Sequence, residues 1–182
     1  MIFGFGGPVT NNRFNDSLIG VATETSPPSS AASYGQLYCA SAQRISLDVA
    51  NSWVAIPFDT FGPSYHMTGS IVSPAAITIQ EAGVYQMNVS LYFSSEDSPE
   101  ATFTQTTYTL GTSINGNTTA ANAAVYAGEV GYFSLHYTFL VTLAANDSIA
   151  FYMQPSATGG DIIFDNVVTI VNASASLVQI AQ

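Results

Sequence analysis

The sequence predicts an all-β fold, a β-sandwich or jelly roll, preceded by an extended N-terminal arm. From Tyr34 onward apolar and polar residues alternate with a period of two, turn signals separate the alternating runs, and helical periodicity is hard to find. Roughly eight to ten such runs without a helix are typical of two packed sheets. These observations divide the chain into an arm, residues 1–33, and one domain, residues 34–182.

The arm combines flexible residues with a few large apolar ones. Glycines dominate its beginning, and it ends in Thr25-Ser-Pro-Pro-Ser-Ser-Ala-Ala-Ser33, a linker that need not pack. Four apolar side chains stand out in it: Ile2, Phe3, Phe5 and Phe14. Because solvated linkers are normally depleted of aromatic residues, we predict that these four dock the arm onto a larger structure or a neighbouring subunit. The alternative is a disordered or artificial tail.

The first half of the domain carries short alternating runs. The segments Tyr34–Cys39 and Ile45–Val49 predict the first two strands. The segment Val54–Phe58 alternates as well, but Pro57 has no backbone N–H and limits this piece to a sheet edge or a bulge. A further short strand is predicted at Ile77–Ile79.

Longer alternating runs in the second half predict the core. One strand opens at Gly83 and directs five apolar side chains to one face: Tyr85, Met87, Val89, Leu91 and Phe93. A second strand spans Val130–Leu143 with an unbroken apolar face: Phe133, Leu135, Tyr137, Phe139, Val141 and Leu143. Phe139 is central in this run and is predicted to be a core residue. A last strand, about Asn166–Ile180, places four apolar residues on one face: Val171, Ala173, Ala175 and Leu177.

The charge balance excludes two classes of partner. Only 8% of the residues are charged, and 12 acidic residues stand against two basic ones, Arg13 and Arg44, for a net charge of −10. Nucleic acid is excluded because its binding needs a basic surface. An anionic membrane is disfavoured for the same reason, and no run of 18 apolar residues is present that could insert. The apolar beginning lacks basic residues, so a secretory signal is not indicated.

The candidate catalytic and metal-binding residues are few. His66 and His136 lack the neighbours of a nucleophilic triad, so no catalytic residue is predicted, and a structural or trimer-axis role is favoured for His136. The two histidines and Cys39 fail the ligand spacings of zinc, so no metal ligand is predicted. The acidic cluster Glu96-Asp-Ser-Pro-Glu100 is expected to be a solvated loop, with calcium as the alternative occupant. No cofactor is otherwise expected.

Two further residues have a structural and a functional interpretation. Cys39 is the single cysteine and is expected to be a small buried hydrophobe, with an interchain disulfide or a reactive thiol as the alternatives. Trp53 precedes the strand with Pro57 and is expected to be a core or rim aromatic residue. Its alternative role is a platform for stacking a sugar.

Five local patterns follow one another in a fixed order within residues 33–181. They are Ser33-Tyr-Gly-Gln-Leu-Tyr38, Val54-Ala-Ile-Pro-Phe-Asp59, Ala76-Ile-Thr-Ile-Gln-Glu-Ala-Gly-Val-Tyr85, Leu143-Ala-Ala-Asn-Asp-Ser-Ile-Ala150 and Asn172-Ala-Ser-Ala-Ser-Leu177. Together they resemble the strands of the C1q/TNF-like jelly-roll superfamily. The resemblance is closest to the C-terminal domain of collagen-like spore-surface (exosporium) glycoproteins of the BclA type. The Gly-X-Y collagen stalk of those proteins is absent from this chain.

The resemblance implies a ten-stranded jelly roll that assembles as a homotrimer, with one sheet facing the trimer axis. Tyr132 and Leu140, apolar residues opposite the Phe133–Leu143 stripe, also favour self-association. The expected function is a non-enzymatic structural or adhesive knob on a spore surface or appendage tip, attached through its arm. The alternative is a phage or virus capsid decoration or fibre knob that binds a receptor. A soluble TNF-like ligand is less favoured, because neither a signal nor an anchor segment is recognised.

Overall fold

The computed structural model describes residues 31–47, 49–96, 106–127, 131–157 and 167–182. Two predictions fall outside these ranges. The docking residues of the arm, Ile2, Phe3, Phe5 and Phe14, lie outside the described residues, and so does all of the acidic loop after Glu96.

The described part of the chain contains twelve strands. In chain order they are β1 Tyr34–Tyr38, β2 Gln43–Ser46, β3 Val54–Ala55, β4 Thr60–Phe61, β5 Met67–Ser70, β6 Ala76–Ile79, β7 Gly83–Glu96, β8 Thr106–Ile114, β9 Asn117–Ala127, β10 Gly131–Leu143, β11 Ser148–Ala157 and β12 Val167–Ala181. β3 and β4 have two residues each, and the other ten have at least four. Within the described ranges no helix is long and apolar enough to cross a membrane.

The strands form two antiparallel six-stranded sheets. The first sheet has the order β10-β7-β12-β1-β4, with β2 also paired to β12. The second sheet has the order β5-β6-β11-β8-β9, with β3 also paired to β11. Strands distant in sequence are therefore neighbours, as in β1 beside β12 and β7 between β10 and β12. The predicted all-β sandwich is confirmed.

The core lies between the two sheets. Five alternate residues of β7 are almost fully buried, as predicted: Tyr85, Met87, Val89, Leu91 and Phe93. The Phe93 ring meets the Tyr108 ring of the second sheet edge to face, with centroids 5.1 Å apart. Phe58 and Phe151 form a second edge-to-face pair at 5.9 Å. Because side chains alternate along a strand, burial of this face turns the even-numbered residues of β7 away from the core.

β10 is less buried than its sequence suggests. It is the end strand of the first sheet, so only one of its edges has a neighbour in that sheet. Leu135 and Leu143 are buried, whereas Phe139 is only partly buried and stacks on Tyr137 with ring centroids 4.9 Å apart. Phe139 therefore packs against the core rather than standing at its centre.

β12 departs from the predicted facing at one residue. Its register with β7 shifts between Ile170 and Asn172, which is the mark of a β-bulge. Ile170 and Ala173 both face the core, while Val171 is 37% exposed. The prediction that Val171 shares the buried face of Ala173 is therefore wrong, because the extra residue of the bulge shifts the alternation by one.

Local turn chemistry explains the β8–β9 hairpin. Asn115 and Gly116 connect the two strands, and both have positive φ, at 53° and 85°. This is the backbone conformation of a two-residue hairpin turn, which asparagine and glycine tolerate best. The turn fixes the pairing of Ile114 with Asn117.

Candidate self-association surface

The side of the first sheet turned away from the core is formed by alternate residues of β10, β7, β12 and β1. We call this surface the outer sheet face. Its members include Tyr132, Ser134, His136, Thr138, Leu140 and Thr142 on β10; Val84, Gln86, Asn88, Ser90, Tyr92 and Ser94 on β7; Asn172, Ser174, Ser176, Val178 and Ile180 on β12; and Tyr34, Gln36 and Tyr38 on β1.

The middle of the outer sheet face is polar and uncharged. The strand register aligns Thr138, Asn88, Ser176 and Gln36 in one row across four strands. Within it the Thr138 hydroxyl donates to Asn88 Oδ1 at 2.9 Å, and Gln86 Nε2 donates to the same oxygen at 3.2 Å. Hydroxyl and amide side chains both donate and accept hydrogen bonds. This row can therefore pair with an identical row of a second copy.

One end of the outer sheet face is an apolar band. Leu140, which is 61% exposed, begins a row that passes through Gln86 and the exposed Val178 to Tyr34. Tyr65 extends the row beyond Tyr34 through two backbone hydrogen bonds of 3.0 and 2.8 Å. The exposed Ile180 follows Val178 on β12. The band crosses the sheet where β1 begins and β12 ends.

An aromatic pair lies toward the opposite end. Tyr92 and Tyr132 stack with ring centroids 5.6 Å apart, and Tyr132 is 68% exposed. The sequence identified Tyr132 and Leu140 as apolar residues opposite the core stripe, and both are exposed. It missed that Val178 and Tyr34 complete the band. The alternation along β12 and β1 indicated that Val178 and Tyr34 point away from the side that buries Leu177 and Leu37. Only the strand order shows that Val178 and Tyr34 are neighbours.

The described acidic side chains avoid the outer sheet face. Asp59, Glu81 and Asp147 all lie in connections between strands. In the first sheet, Arg44 of β2 pairs in register with Thr169, and Glu96 at the end of β7 pairs with Val167. The face is thus uncharged over most of its area although the chain carries a net charge of −10.

Asp59 clamps the connection between β1 and β2. Its Oδ1 accepts hydrogen bonds from the backbone N–H of Ala40 at 2.7 Å and from the Thr60 hydroxyl at 2.9 Å. Its Oδ2 accepts from the Ser41 hydroxyl at 2.8 Å and from Gln43 Nε2 at 3.3 Å. The bond from Ala40, followed by those from Ser41 and Thr60, holds the pKa of Asp59 well below its usual range. The role of this carboxylate is structural.

The histidines are placed differently from the partners in a nucleophilic triad. His66 Nδ1 lies 2.6 Å from Glu81 Oε1, and the Ser33 hydroxyl donates to Glu81 Oε2 at 3.2 Å. The carboxylate therefore stands between the hydroxyl and the imidazole, whereas an activated serine needs the imidazole in the middle. His136 lies on the outer sheet face, opposite Ser90 in the register of β10 and β7.

Cys39 and Trp53 both have packing roles. Burial, followed by the nearby charge of Asp59, raises the pKa of Cys39 to about 11, which disfavours the reactive thiolate. The Cys39 thiol donates to the Pro57 carbonyl at 3.4 Å, in agreement with the predicted buried hydrophobe. Trp53 is partly buried and covers Gly111, where an added Cβ would come within 2.5 Å of the indole ring. Trp53 is therefore a rim aromatic residue.

No cluster of three histidine, cysteine or acidic side chains suited to a metal ion occurs in the described ranges. The calcium alternative concerned the loop after Glu96 and lies outside them.

Comparison with known proteins yields a likeness of fold. No family model and no curated protein matches the chain. Among solved structures it is similar to Eiger TNF from S. frugiperda, with a TM-score of 0.51 and 15% sequence identity over 84% of this chain and 93% of that one. Murine APRIL gives a TM-score of 0.49 and 10% identity over 82% and 99% of the two chains. The globular domain of zebrafish complement 1qA protein gives 0.49 and 11% over 83% and 98%.

The likeness to Eiger TNF and the two antiparallel sheets agree on the architecture. The closer resemblance to BclA-type spore-surface proteins stays a prediction. The domain of this chain is a jelly-roll sandwich with a TNF-like fold.

Proposed function

We propose that this chain is a non-enzymatic structural or adhesive module that assembles as a homotrimer through its outer sheet face. The observation that carries the proposal is an uncharged sheet face with exposed apolar groups at both ends, Leu140 and Tyr34 at one and Tyr132 at the other. Soluble monomers limit such patches, because exposed apolar area favours association.

The composition of the face suits a partner identical to itself. In a symmetric assembly every charge meets copies of itself, and like charges in an interface cost several kcal/mol. Asp59, Glu81 and Asp147 lie in connections, and Glu96 stands at the end of β7, so the middle of the face carries no acidic residue. The apolar band supplies hydrophobic area, and the polar rows supply donors and acceptors that fit their own copies.

The trimeric state is supported by the C1q/TNF-like resemblance and by the TNF-like fold. The resemblance implies that one sheet faces the trimer axis. The first sheet is the better candidate, because its solvent side carries the exposed apolar band and the stacked tyrosines.

The assembled knob is proposed to act on an exterior surface, held there by Ile2, Phe3, Phe5 and Phe14 of the arm. A spore surface or an appendage tip is the favoured location. A phage or virus capsid decoration or fibre knob that binds a receptor is the alternative. No nucleic acid, membrane insertion or catalytic step belongs to this function.

Sedimentation velocity at micromolar concentration tests the assembly. The wild-type chain should sediment as a trimer, and Leu140→Asp should sediment as a monomer, because each interface would then bury an added carboxylate. The matched control is Val72→Asp, since Val72 is 76% exposed in the connection between β5 and β6 and lies off the first sheet. A monomeric wild-type chain, or a trimer that tolerates Leu140→Asp, would contradict the proposal.

Deletion of residues 1–32 tests the arm. The deletion stops at Ala32 because Ser33 is buried, and its backbone C=O accepts a hydrogen bond of 2.8 Å from the N–H of Gln179. The truncated protein should fold and trimerise but fail to join its native particle. If it is still incorporated, the arm is not the anchor. Imaging of that particle also distinguishes spore from virion.

A further inference from the structure

His136 is the histidine of the outer sheet face, and histidine is the side chain whose charge ordinarily changes between pH 5 and 8. It is exposed on β10 between Ser134 and Thr138. The other histidine, His66, stacks on Tyr65 at the edge of the apolar band, with ring centroids 3.9 Å apart, and contacts Glu81. In the proposed trimer His136 would pass from water into a covered surface.

The surroundings of His136 offer no opposite charge. Ser90 of β7 lies directly across, and Ser174 of β12 and Tyr38 of β1 continue the row. Tyr92 and Asn88 flank Ser90 on β7.

The other titratable groups along these strands are phenols, one guanidinium and one carboxyl group. The phenols of the outer sheet face are Tyr34, Tyr38, Tyr92 and Tyr132, and Arg44 of β2 is a cation. β10, β12, β1 and β2 carry no carboxyl group, and the one acidic residue of β7, Glu96, ends that strand and is separated from Ser90 by residues 91–95. A covered imidazolium would find hydrogen-bond acceptors but no compensating charge.

We propose that protonation of His136 opens the homotrimer, so that the assembly holds at neutral pH and dissociates in mild acid. The inference rests on the proposed self-association. Burial of a charged group without a counter-charge opposes association, and a trimer repeats the penalty in each of its subunits.

The direction and size of the pH effect follow from the linkage between protonation and assembly. An imidazole that titrates at about pH 6.5 when free, and whose charged form is excluded from an interface, leaves assembly unaffected above that pH. Below it, the dissociation constant rises about tenfold per pH unit for each buried copy, or about 30-fold per subunit at about pH 5.

The general charge of the chain acts in the opposite direction. The net charge is −10, so acidification lowers the repulsion between subunits and by itself favours assembly. A loss of trimer in mild acid would therefore run against the effect of net charge, and the inference assigns it to His136.

The test measures the trimer–monomer equilibrium by sedimentation at about pH 8 and about pH 5, with circular dichroism to verify the fold. The key variant is His136→Gln, which keeps hydrogen-bonding groups but does not titrate. The control is His66→Asn, which removes the other histidine and suits its positive φ of 51°. Wild type and His66→Asn should dissociate at the lower pH while staying folded. The dissociation constant of His136→Gln should not rise between about pH 8 and about pH 5.

Three outcomes would overturn the inference. A wild-type trimer equally tight at both pH values does so while leaving the proposed function intact. An unchanged pH dependence in His136→Gln, or dissociation that accompanies unfolding, does so as well. A wild-type monomer at about pH 8 removes the proposed function itself.

Discussion

Phe93 is expected to be among the residues most important for stability, and Phe93→Ala measures how tightly the two sheets are joined. Its side chain is fully buried, meets Tyr108 of the second sheet edge to face at 5.1 Å, and lies 5.7 Å from the ring of Phe133. Truncation removes the ring and leaves a cavity between the sheets. The free energy of unfolding should fall by about 3–5 kcal/mol.

Phe139→Ala is the matched comparison, because it removes the same ring from the end strand β10. Phe139 is only partly buried, and its stacking partner Tyr137 is on the same strand. This truncation exposes less apolar area to water, and neighbouring side chains can move into the space that the ring leaves. The free energy of unfolding should therefore fall by about 2 kcal/mol. The two variants differ by position in the sheet rather than by chemistry.

Urea unfolding at one fixed protein concentration measures both losses, since the stability of an oligomer depends on concentration. Trp53, the single tryptophan, reports through its fluorescence. A loss below about 1 kcal/mol for Phe93→Ala would contradict the packing described for β7. A larger loss for Phe139→Ala than for Phe93→Ala would place the core on the β10 side.

Three further predictions concern single sites. Gly83→Ala should lower the free energy of unfolding by about 1–3 kcal/mol in thermal denaturation, because a Cβ would lie 2.5 Å from a carbonyl oxygen and a side-chain amide of β12; an unchanged Tm would contradict this. Asp59→Asn should lower Tm at neutral pH. Since the lowered pKa of Asp59 stabilises the fold only above the unfolded value of about 3.9, the difference should shrink as pH falls below about 4. A Tm difference that does not change with pH would show that the hydrogen bonds to the ionised Asp59 carboxylate do not stabilise the fold. Native trypsin should cut after Arg13 but spare Arg44, which lies within β2 and pairs with β12; mass spectrometry that finds the whole domain digested would refute this.

Local sequence was sufficient for the elements with a simple alternation. The buried face of β7, from Tyr85 to Phe93, followed from apolar residues at every second position. The turn at Asn115 and Gly116 followed from two residues that tolerate positive φ. Both are properties of neighbouring residues, so they can be recognised without knowing the fold.

Tertiary structure decided what depends on strand partners. The bulge that exposes Val171 arises from the pairing of β12 with β7, and the partial burial of Phe139 arises from the position of β10 at the end of its sheet. Neither is visible in the alternation, because the same pattern of apolar residues occurs in central and in end strands.

The candidate self-association surface was likewise predicted from the sequence in part. The sequence identified Tyr132 and Leu140 as residues opposite an apolar stripe, and its charge balance predicted that nucleic acid is not a partner. That Val178 and Tyr34 complete one band with Leu140 depends on β1 lying beside β12, strands separated by more than a hundred residues. Alternation is fixed by backbone geometry within a strand, whereas the choice of neighbouring strand is made by the packing of the whole core.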